Sequence, residues 1–478
     1  MTYNAATSVV IEKLEKAAPG RVITFDDVNP DYGRDEMPIY GRKMPEVSID
    51  VLATEEVSDI MKICYEHNIP VTVRGGATGL VGGCTPIFGG VVICTTRMNK
   101  ILEFDEMNFS IRVQSGVRLG DMQEAARERG FFYPPDPGQK DATIGGNAAT
   151  NAGGMRAIKY GTTKDYVRAM TVVLSNGDIL RIGANVSKTS TGYNMIQLIT
   201  GSEGTLGIIT ELTLKLIKAP NATISIMAPF EDLDRCLATV PKIFTSRFSP
   251  TALEFFEREI LISSEKYIGK ALFPREVNGT EAGAYLLMTF DADDVAELEK
   301  TIVEMAEFLL EQGAMDVLAA DTEQQIKDVW AARSSFLESI ETSYRLLDEN
   351  DVVVPVGRIA EFVRFFSRLG EGYDFDVRYF GHAGDGNLHI YAASNDMEKE
   401  EFMRQVHDFM QKTYAKTLEI GGDISGEHGI GHGKTRYFED AVGMVNITLQ
   451  RGIKRVFDPK LILNPGKVCF KAEDMANA

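Results

Sequence analysis

Four of the six histidines in this 478-residue chain lie in two short segments, Gly381-His-Ala-Gly-Asp-Gly-Asn-Leu-His389 and Gly426-Glu-His-Gly-Ile-Gly-His432. Asp385-Gly386 is a favoured two-residue turn pair, and the flanking 377–380 and 388–391 have strand character, so the first segment reads as a β-hairpin. With that pair at the turn centre, Gly384 faces Asn387, Ala383 faces Leu388 and His382 faces His389. Directly opposed residues share a face with Cβ atoms about 4.5–5.5 Å apart, so two imidazoles can share one metal ion. Glu427, a carboxylate in a glycine-rich loop, is the best third ligand. Two histidines and a carboxylate with open positions suit Zn²⁺, Fe²⁺ or Mn²⁺ with substrate oxygens completing the shell. His428 is then a base beside the ion. A merely polar strand face is the other reading of the paired histidines. His432 reads as loop structure, and His67 and His407 fall in helical contexts.

Three glycine clusters, 74–83, 144–154 and 201–207, form a second constellation. No G-x-G-x-x-G follows a strand and opens a helix, and the nearest P-loop match puts His428 where the first glycine belongs. The 74–83 cluster directly follows a strand, and its glycines let backbone N–H groups turn toward one anion. A glycine-rich turn explains one such loop. Three within so short a stretch point to one extended phosphate-bearing ligand that all of them touch.

These residues need a frame. Strands are expected at 46–51 and 69–73 around a helix at 54–64, then strands within 90–115 and a helix at about 118–129. The stretch 133–161 reads as loop, and a hairpin at 168–182 turns on Asn176-Gly177. After Pro220 glycine thins out and βαβ-like units appear. Ala284 to Phe290 is a strand, the next helix buries Val295, Leu298, Ile302, Met305 and Leu309, and a further helix at about 322–340 carries Trp330 and Arg333. The expected organisation is an N-terminal segment 1–45, a first domain 46–220, a second 221–420, and a C-terminal segment 421–478. Composition fits such a frame: 44% hydrophobic and 25% charged residues exclude a disordered or collagen-like chain. A net charge of −19 without a Lys/Arg run excludes a nucleic-acid footprint. No apolar run is long enough to span a membrane, and the N-terminus lacks a secretion signal. Five scattered cysteines without C-x-x-C suit a reducing, cytoplasmic setting.

Arg74-Gly-Gly-Ala-Thr-Gly79, Pro134-Pro-Asp-Pro137, Thr143-Ile-Gly-Gly-Asn147, Asn151-Ala-Gly-Gly154 and Gly201-Ser-Glu-Gly-Thr-Leu-Gly207 resemble the FAD domain of the vanillyl-alcohol-oxidase/p-cresol-methylhydroxylase (PCMH) flavoproteins. The two histidine segments and Asn464-Pro-Gly-Lys467 resemble its D-2-hydroxyacid dehydrogenase branch, which includes D-lactate dehydrogenases and the glycolate oxidase flavin subunit. The resemblance runs from about residue 40 to 470. It implies an α+β fold with a two-part PCMH-type FAD-binding domain, an α+β cap with an antiparallel sheet, and a C-terminal segment returning to the FAD domain. It implies that FAD rests on Arg74, Gly75, Gly76, Ala77, Thr78 and Gly79, on Pro135 and Asp136, and on Thr143, Gly145, Gly146, Asn147, Ala149, Gly153 and Gly154. Glu203, Gly204, Gly207, Ile208 and Asn464 complete that set. It repeats His382, His389 and Glu427 as metal ligands and His428 as base, and adds Arg333 as the partner of a substrate carboxylate.

No histidine lies in 74–83, so the FAD is expected to be non-covalent, with Cys84 the residue that could argue otherwise. Dicarboxylate-oxidising relatives tend to carry Asn and Lys where this chain has Tyr391 and Glu349, which favours a small monocarboxylate, D-lactate over glycolate. The implied reaction is metal-assisted oxidation of a D-2-hydroxy acid to the 2-oxo acid, with electrons passed to a soluble protein such as an electron-transferring flavoprotein. The rival readings are a glycolate oxidase flavin subunit and a non-catalytic flavin electron relay.

Overall fold

The runs Val47–Asp50, Val71–Arg74 and Val91–Cys94 are short and rich in Val and Ile, as suits strands covered on both sides. They pair in parallel with 91–94 central, and Val22–Thr24 adds antiparallel on the outer edge. The helix Thr54–His67 crosses between two of them and buries Val57, Ile60, Met61 and Cys64. A second, antiparallel sheet follows, in the order Ile101–Asp105, Ser110–Gln114, Ile208–Lys215, Val167–Val173, Ile179–Gly183. This is a computed structural model, and it describes residues 2–476. The stretch expected as loop around 143–154 contains the helix Ile144–Thr150. Its glycines oppose a helix, but Thr143 accepts from the Gly146 N–H at 3.3 Å and Ile144 and Ala148 are buried, so capping and packing prevail.

The chain then builds a seven-stranded antiparallel sheet: Leu318–Ala320, Ala222–Phe230, Ala284–Ala292, Ala252–Glu257, Asp376–His382, Asn387–Ser394, Leu346–Val353. The βαβ-like texture yields no parallel pair here. Ala222–Phe230 and Ala252–Glu257, Ala284–Ala292 and Leu318–Ala320, and Leu346–Val353 and Asp376–His382 are each joined through a helix but separated by a third strand, while Ala252–Glu257 pairs antiparallel with Ala284–Ala292. Alternate side chains enter two cores. Ile224, Ile226, Leu253, Phe255, Leu388 and Ile390 face the helices Leu233–Phe244, Val295–Glu311, Ile359–Gly370 and Lys399–Glu419. Met227, Phe256, Leu347, Phe380 and Tyr391 face the shorter helices Arg258–Ile268, Glu323–Ser334 and Phe336–Glu341. By the same period of two, Glu254, Glu349, Asp351, His382 and His389 all point to this second face. In Val295–Glu311 the buried stripe is Leu298, Ile302, Met305 and Leu309, while Val295, at the first turn, is exposed. The helix expected over 322–340 breaks at Ser335.

The histidine hairpin forms in a different register from the expected one. His382 pairs with Asn387 and Phe380 with His389, leaving a four-residue loop. The Asp385 carboxylate accepts from Asn387 N–H at 3.1 Å, and the N–H groups of Asp385 and Gly386 both converge on His382 O. That Asx turn displaces the two-residue turn. His382 and His389 become diagonal neighbours on one face, with ring centroids 5.3 Å apart.

After the helix Thr435–Phe457 the chain returns to the first sheet. Leu463 bridges Val71 in parallel, and Asn464 N–H donates to Val71 O at 2.6 Å. No helix among the described residues is long and apolar enough to cross a membrane.

Gly386 has φ +87°, and a Cβ there would lie 1.9 Å from Val354 O. Gly386→Ala is therefore expected to cost at least about 1–3 kcal/mol. Calorimetry should show this as a lowered unfolding midpoint, and an unchanged midpoint would contradict the loop geometry.

Candidate active site

Three histidine Nε2 atoms converge on one carboxylate oxygen. Glu427 Oε1 lies 3.2 Å from His382, 3.3 Å from His389 and 3.8 Å from His428. Each ring is held from behind. Glu254 takes His382 Nδ1 at 2.7 Å, and Glu349 takes His389 Nδ1 at 3.1 Å and His428 Nδ1 at 3.0 Å. At His382 and His389 the carboxylate hydrogen-bonded to Nδ1 fixes the proton there and leaves Nε2 free to accept or ligate. The His389 and His428 rings stack at 5.0 Å.

The second segment of the site is suspended from two buried acids. Asp351 Oδ2 accepts from Ser425 Oγ at 2.9 Å and from the N–H groups of Gly426, Glu427 and His428 at 3.1, 3.1 and 2.9 Å. Glu203 accepts from Ile430 and Gly431 N–H at 2.7 Å each. Lys434 anchors the base of the loop by donating to Asp351 O and Ile424 O.

Burial alone would raise the Glu427 pKa, but His382 and His389 outweigh it and hold the carboxyl well below its usual range. Glu349 is likewise lowered to about 2, its burial outweighed by His428 and His389. Burial works against charge on His428, yet Glu349 and Asp351 bring it up to about 9. Glu254 and Glu427 similarly hold His382 well above the usual imidazole range against its burial.

Arg333 ends the helix Glu323–Ser334 and is buried. Its Nε donates to Glu254 Oε2 at 2.8 Å, and its guanidinium lies 4.6 Å from the Phe380 ring centroid. Glu254 thus joins the arginine to His382.

One cleft is lined by Arg333, His382, His389, Glu427 and His428, and it continues along the first domain. Gly75, Gly76, Ala77, Thr78 and Gly79 line it, as do Thr143, Gly145, Gly146, Asn147 and Ala149, then Glu203, Gly204, Gly207 and Ile208. Six other candidates sit behind this wall. Arg74 donates to Arg34 O and stacks on Tyr32. Asp136 is buried against Lys140 and Arg156, and Pro135 O accepts from Gln123. Gly154 packs on Asp136 O, Gly153 makes room beside Glu427, and Asn464 Nδ2 braces Glu203 O at 2.7 Å. Glu349 does not line the cleft either, so it acts on the histidines and not directly on a ligand.

The cleft suits an extended cofactor. A Cβ at Gly79 would meet nothing closer than 3.9 Å, so this glycine keeps the cleft wall bare. Gly75 and Gly207 serve packing instead: a Cβ there would lie 2.3 Å from Thr143 Oγ1 or from Val172 Cγ1. The Cys84 thiol is pushed up to about 11 by burial and Asp35, which suppresses its reactivity. The histidine end suits a divalent ion. It has a nitrogen, nitrogen and oxygen donor set, and Glu427 Oε2 is buried without a hydrogen-bond partner. Glu254 and Asp351 escaped sequence reading, and Glu349 entered it only as a position bearing on a second substrate carboxylate, because an acid in a strand resembles a solvent-facing position. Four consecutive polar residues, Asp348-Glu-Asn-Asp351, inside an apolar strand were the available signal.

A glycine-walled cleft ending at a buried histidine–carboxylate centre, on a two-lobed α+β frame, is the organisation of a cofactor-dependent oxidoreductase. Residues 45–183 match the FAD binding domain, and residues 219–468 match the C-terminal domain of FAD linked oxidases. The chain belongs to these FAD-linked oxidases. It is 55% identical over 469 residues to a D-lactate dehydrogenase of Anaerostipes hadrus, covering 98% of this chain and 99% of that one. It is 39% identical over 452 residues to glycolate oxidase subunit GlcD of Bacillus subtilis (strain 168), covering 94% of each. The crystal structure of p-cresol methylhydroxylase with substrate bound shares the fold, with a TM-score of 0.79 at 18% identity and 97% of both chains covered.

Replacing Asp351 by Asn removes the charged acceptor of three backbone N–H groups and should cost about 3 kcal/mol. Hydrogen exchange is expected to accelerate at residues 426–428 while Ile430 and Gly431, held by Glu203, stay protected. Equal acceleration at all five would mean that the two acids do not anchor the loop separately.

Proposed function

We propose that this enzyme oxidises a small D-2-hydroxy acid, D-lactate foremost, to its 2-oxo acid. It does so with dissociable FAD along the glycine-walled cleft and a divalent ion (Zn, Fe or Mn) held by His382, His389 and Glu427. The observation that carries this reading is the convergence of three Nε2 atoms on Glu427 in a cleft that also contains Arg333. The 55% identical relative named D-lactate dehydrogenase supports the choice of acid. A glycolate-oxidising subunit is the second reading, supported by the 39% identical relative of that name.

When bound, FAD supplies the acceptor for the C2 hydride, and the ion supplies Lewis acidity that lowers the hydroxyl pKa. Arg333 receives the substrate carboxylate, and Glu254 keeps its guanidinium oriented by gripping Nε. His428 accepts the hydroxyl proton at Nε2, with Glu349 Oε2 placed 3.0 Å from its Nδ1. The value of about 9 for His428 reflects its carboxylate neighbours, and a cation held by Glu427 would lower it toward the working range.

The division into 1–45, 46–220, 221–420 and 421–478 is part of the proposal, as are a cytoplasmic setting and a soluble electron acceptor such as an electron-transferring flavoprotein. All five cysteines are free and scattered, which supports a reducing compartment and electron exit to another protein.

Anaerobic spectra should show flavin bleaching by D-lactate and little by L-lactate, glycolate or D-2-hydroxyglutarate. Bleaching by none of the four would refute the reading. His428→Ala should slow reduction by about 10²–10⁴-fold, and near-full speed would remove His428 from the role of base. Elemental analysis should find about one divalent ion per chain, lost in His382→Ala. A chelator-resistant, metal-free active enzyme would remove the ion.

A further inference from the structure

Three glutamates share the cleft with Arg333 and have no part in the chemistry above. Glu338 and Glu341 stand one turn apart on the helix Phe336–Glu341, and with Ser334 and Leu337 they continue the cleft face that Arg333 begins. Glu36 comes from the N-terminal segment, fixed by its N–H donating to Gly79 O at 3.1 Å. No ion pair forms at any of the three among the described residues. Glu338 Oε2 and Glu341 Oε1 are buried without hydrogen-bond partners. Arg34 acts on Glu36 but is itself paired with Asp31 at 3.1 Å. Burial, and after it Glu36, Glu338 and Glu349, push the Glu341 carboxyl up to about 7.

Arg333 is the only lysine or arginine among the described lining residues, and Glu254 already neutralises one edge of it. A ligand that places one carboxylate on Arg333 therefore has the rest of its body in a cleft whose charged walls, apart from the histidine cluster, are acidic. A neutral side chain meets no penalty there. A second carboxylate would meet like charge there and find no further lysine or arginine, and like-charge contacts of this kind are an effective means of rejection.

We infer that Glu36, Glu338 and Glu341 are specificity determinants that exclude 2-hydroxy acids bearing a second anionic group while admitting neutral side chains. This rests on the hydroxy-acid reading above. It also moves the discrimination away from Glu349, which is committed to His389 and His428.

The test compares two five-carbon acids that differ in charge. With wild-type enzyme, flavin reduction by D-2-hydroxypentanoate is expected to exceed that by D-2-hydroxyglutarate by at least about tenfold in kcat/KM, with D-lactate as reference. In Glu36→Gln/Glu338→Gln/Glu341→Gln enzyme the ratio between the two should fall by at least about tenfold. Equal rejection of both five-carbon acids by wild type would show that size excludes them and overturn the inference without any variant. An unchanged ratio in a folded triple variant would overturn it too. Reduction by D-lactate but no discrimination would sink the inference and leave the hydroxy-acid reading standing. No reduction by any of the three acids would sink both.

Discussion

A single buried oxygen, Asp351 Oδ2, holds the second half of the site in place. It sits on the edge strand of the seven-stranded sheet and gathers the Ser425 hydroxyl and three successive backbone N–H groups. Successive N–H groups can turn toward one anion only in a tight, concave loop, which is why glycines flank Glu427-His428 on both sides. Glu203 repeats the device two residues further on, from the opposite lobe. The loop is thus slung between Glu203, just before the strand Ile208–Lys215 of the five-stranded sheet, and Asp351 on the seven-stranded one. The positions of Glu427 and His428 are decided by backbone hydrogen bonds, not by packing of their own side chains.

The sheet supplies the other half by arithmetic. Because a strand alternates faces, Glu254, Glu349, Asp351, His382 and His389 reach the same side from four strands without any long loop. Three of these acids, together with Glu427, lie within a small buried volume whose fixed cations are Arg333 and Lys434. Histidines accept charge readily in such surroundings, as the raised values of His382 and His428 reflect. The excess of negative charge also suits the divalent ion proposed for His382, His389 and Glu427, since buried carboxylates without compensation are costly.

Much of this was legible in the amino-acid order, and the exceptions have specific causes. The helix stripe Leu298, Ile302, Met305 and Leu309 follows from spacing alone, whereas Val295, the first residue of the helix, is exposed. The shared face of His382 and His389 was readable from their separation by a turn. Their register was not, because Asp385 caps Asn387 and lengthens the loop. The helix Ile144–Thr150 was hidden by glycines that local propensity assigns to a loop. Glu254 was hidden for a different reason. A single acid inside Ala-Leu-Glu-Phe-Phe is informative only once its partners from distant strands, Arg333 and His382, are brought to it.

The return of the C-terminal segment to the first sheet bears on how the molecule is made. Asn464 braces Gly83 O across a sequence separation of 381 residues, and Ile462–Leu463 lie against Val71. At a synthesis rate of about 5–20 residues per second, the glycine loop that faces the cofactor leaves the ribosome roughly 20–80 s before its last neighbour exists. Throughout that interval the nascent first lobe exposes an unpaired edge and a half-built cleft. Tight cofactor capture therefore belongs to the end of translation, and the emerging chain is at its most vulnerable to chaperones, proteases and misassociation while the cap is still being threaded.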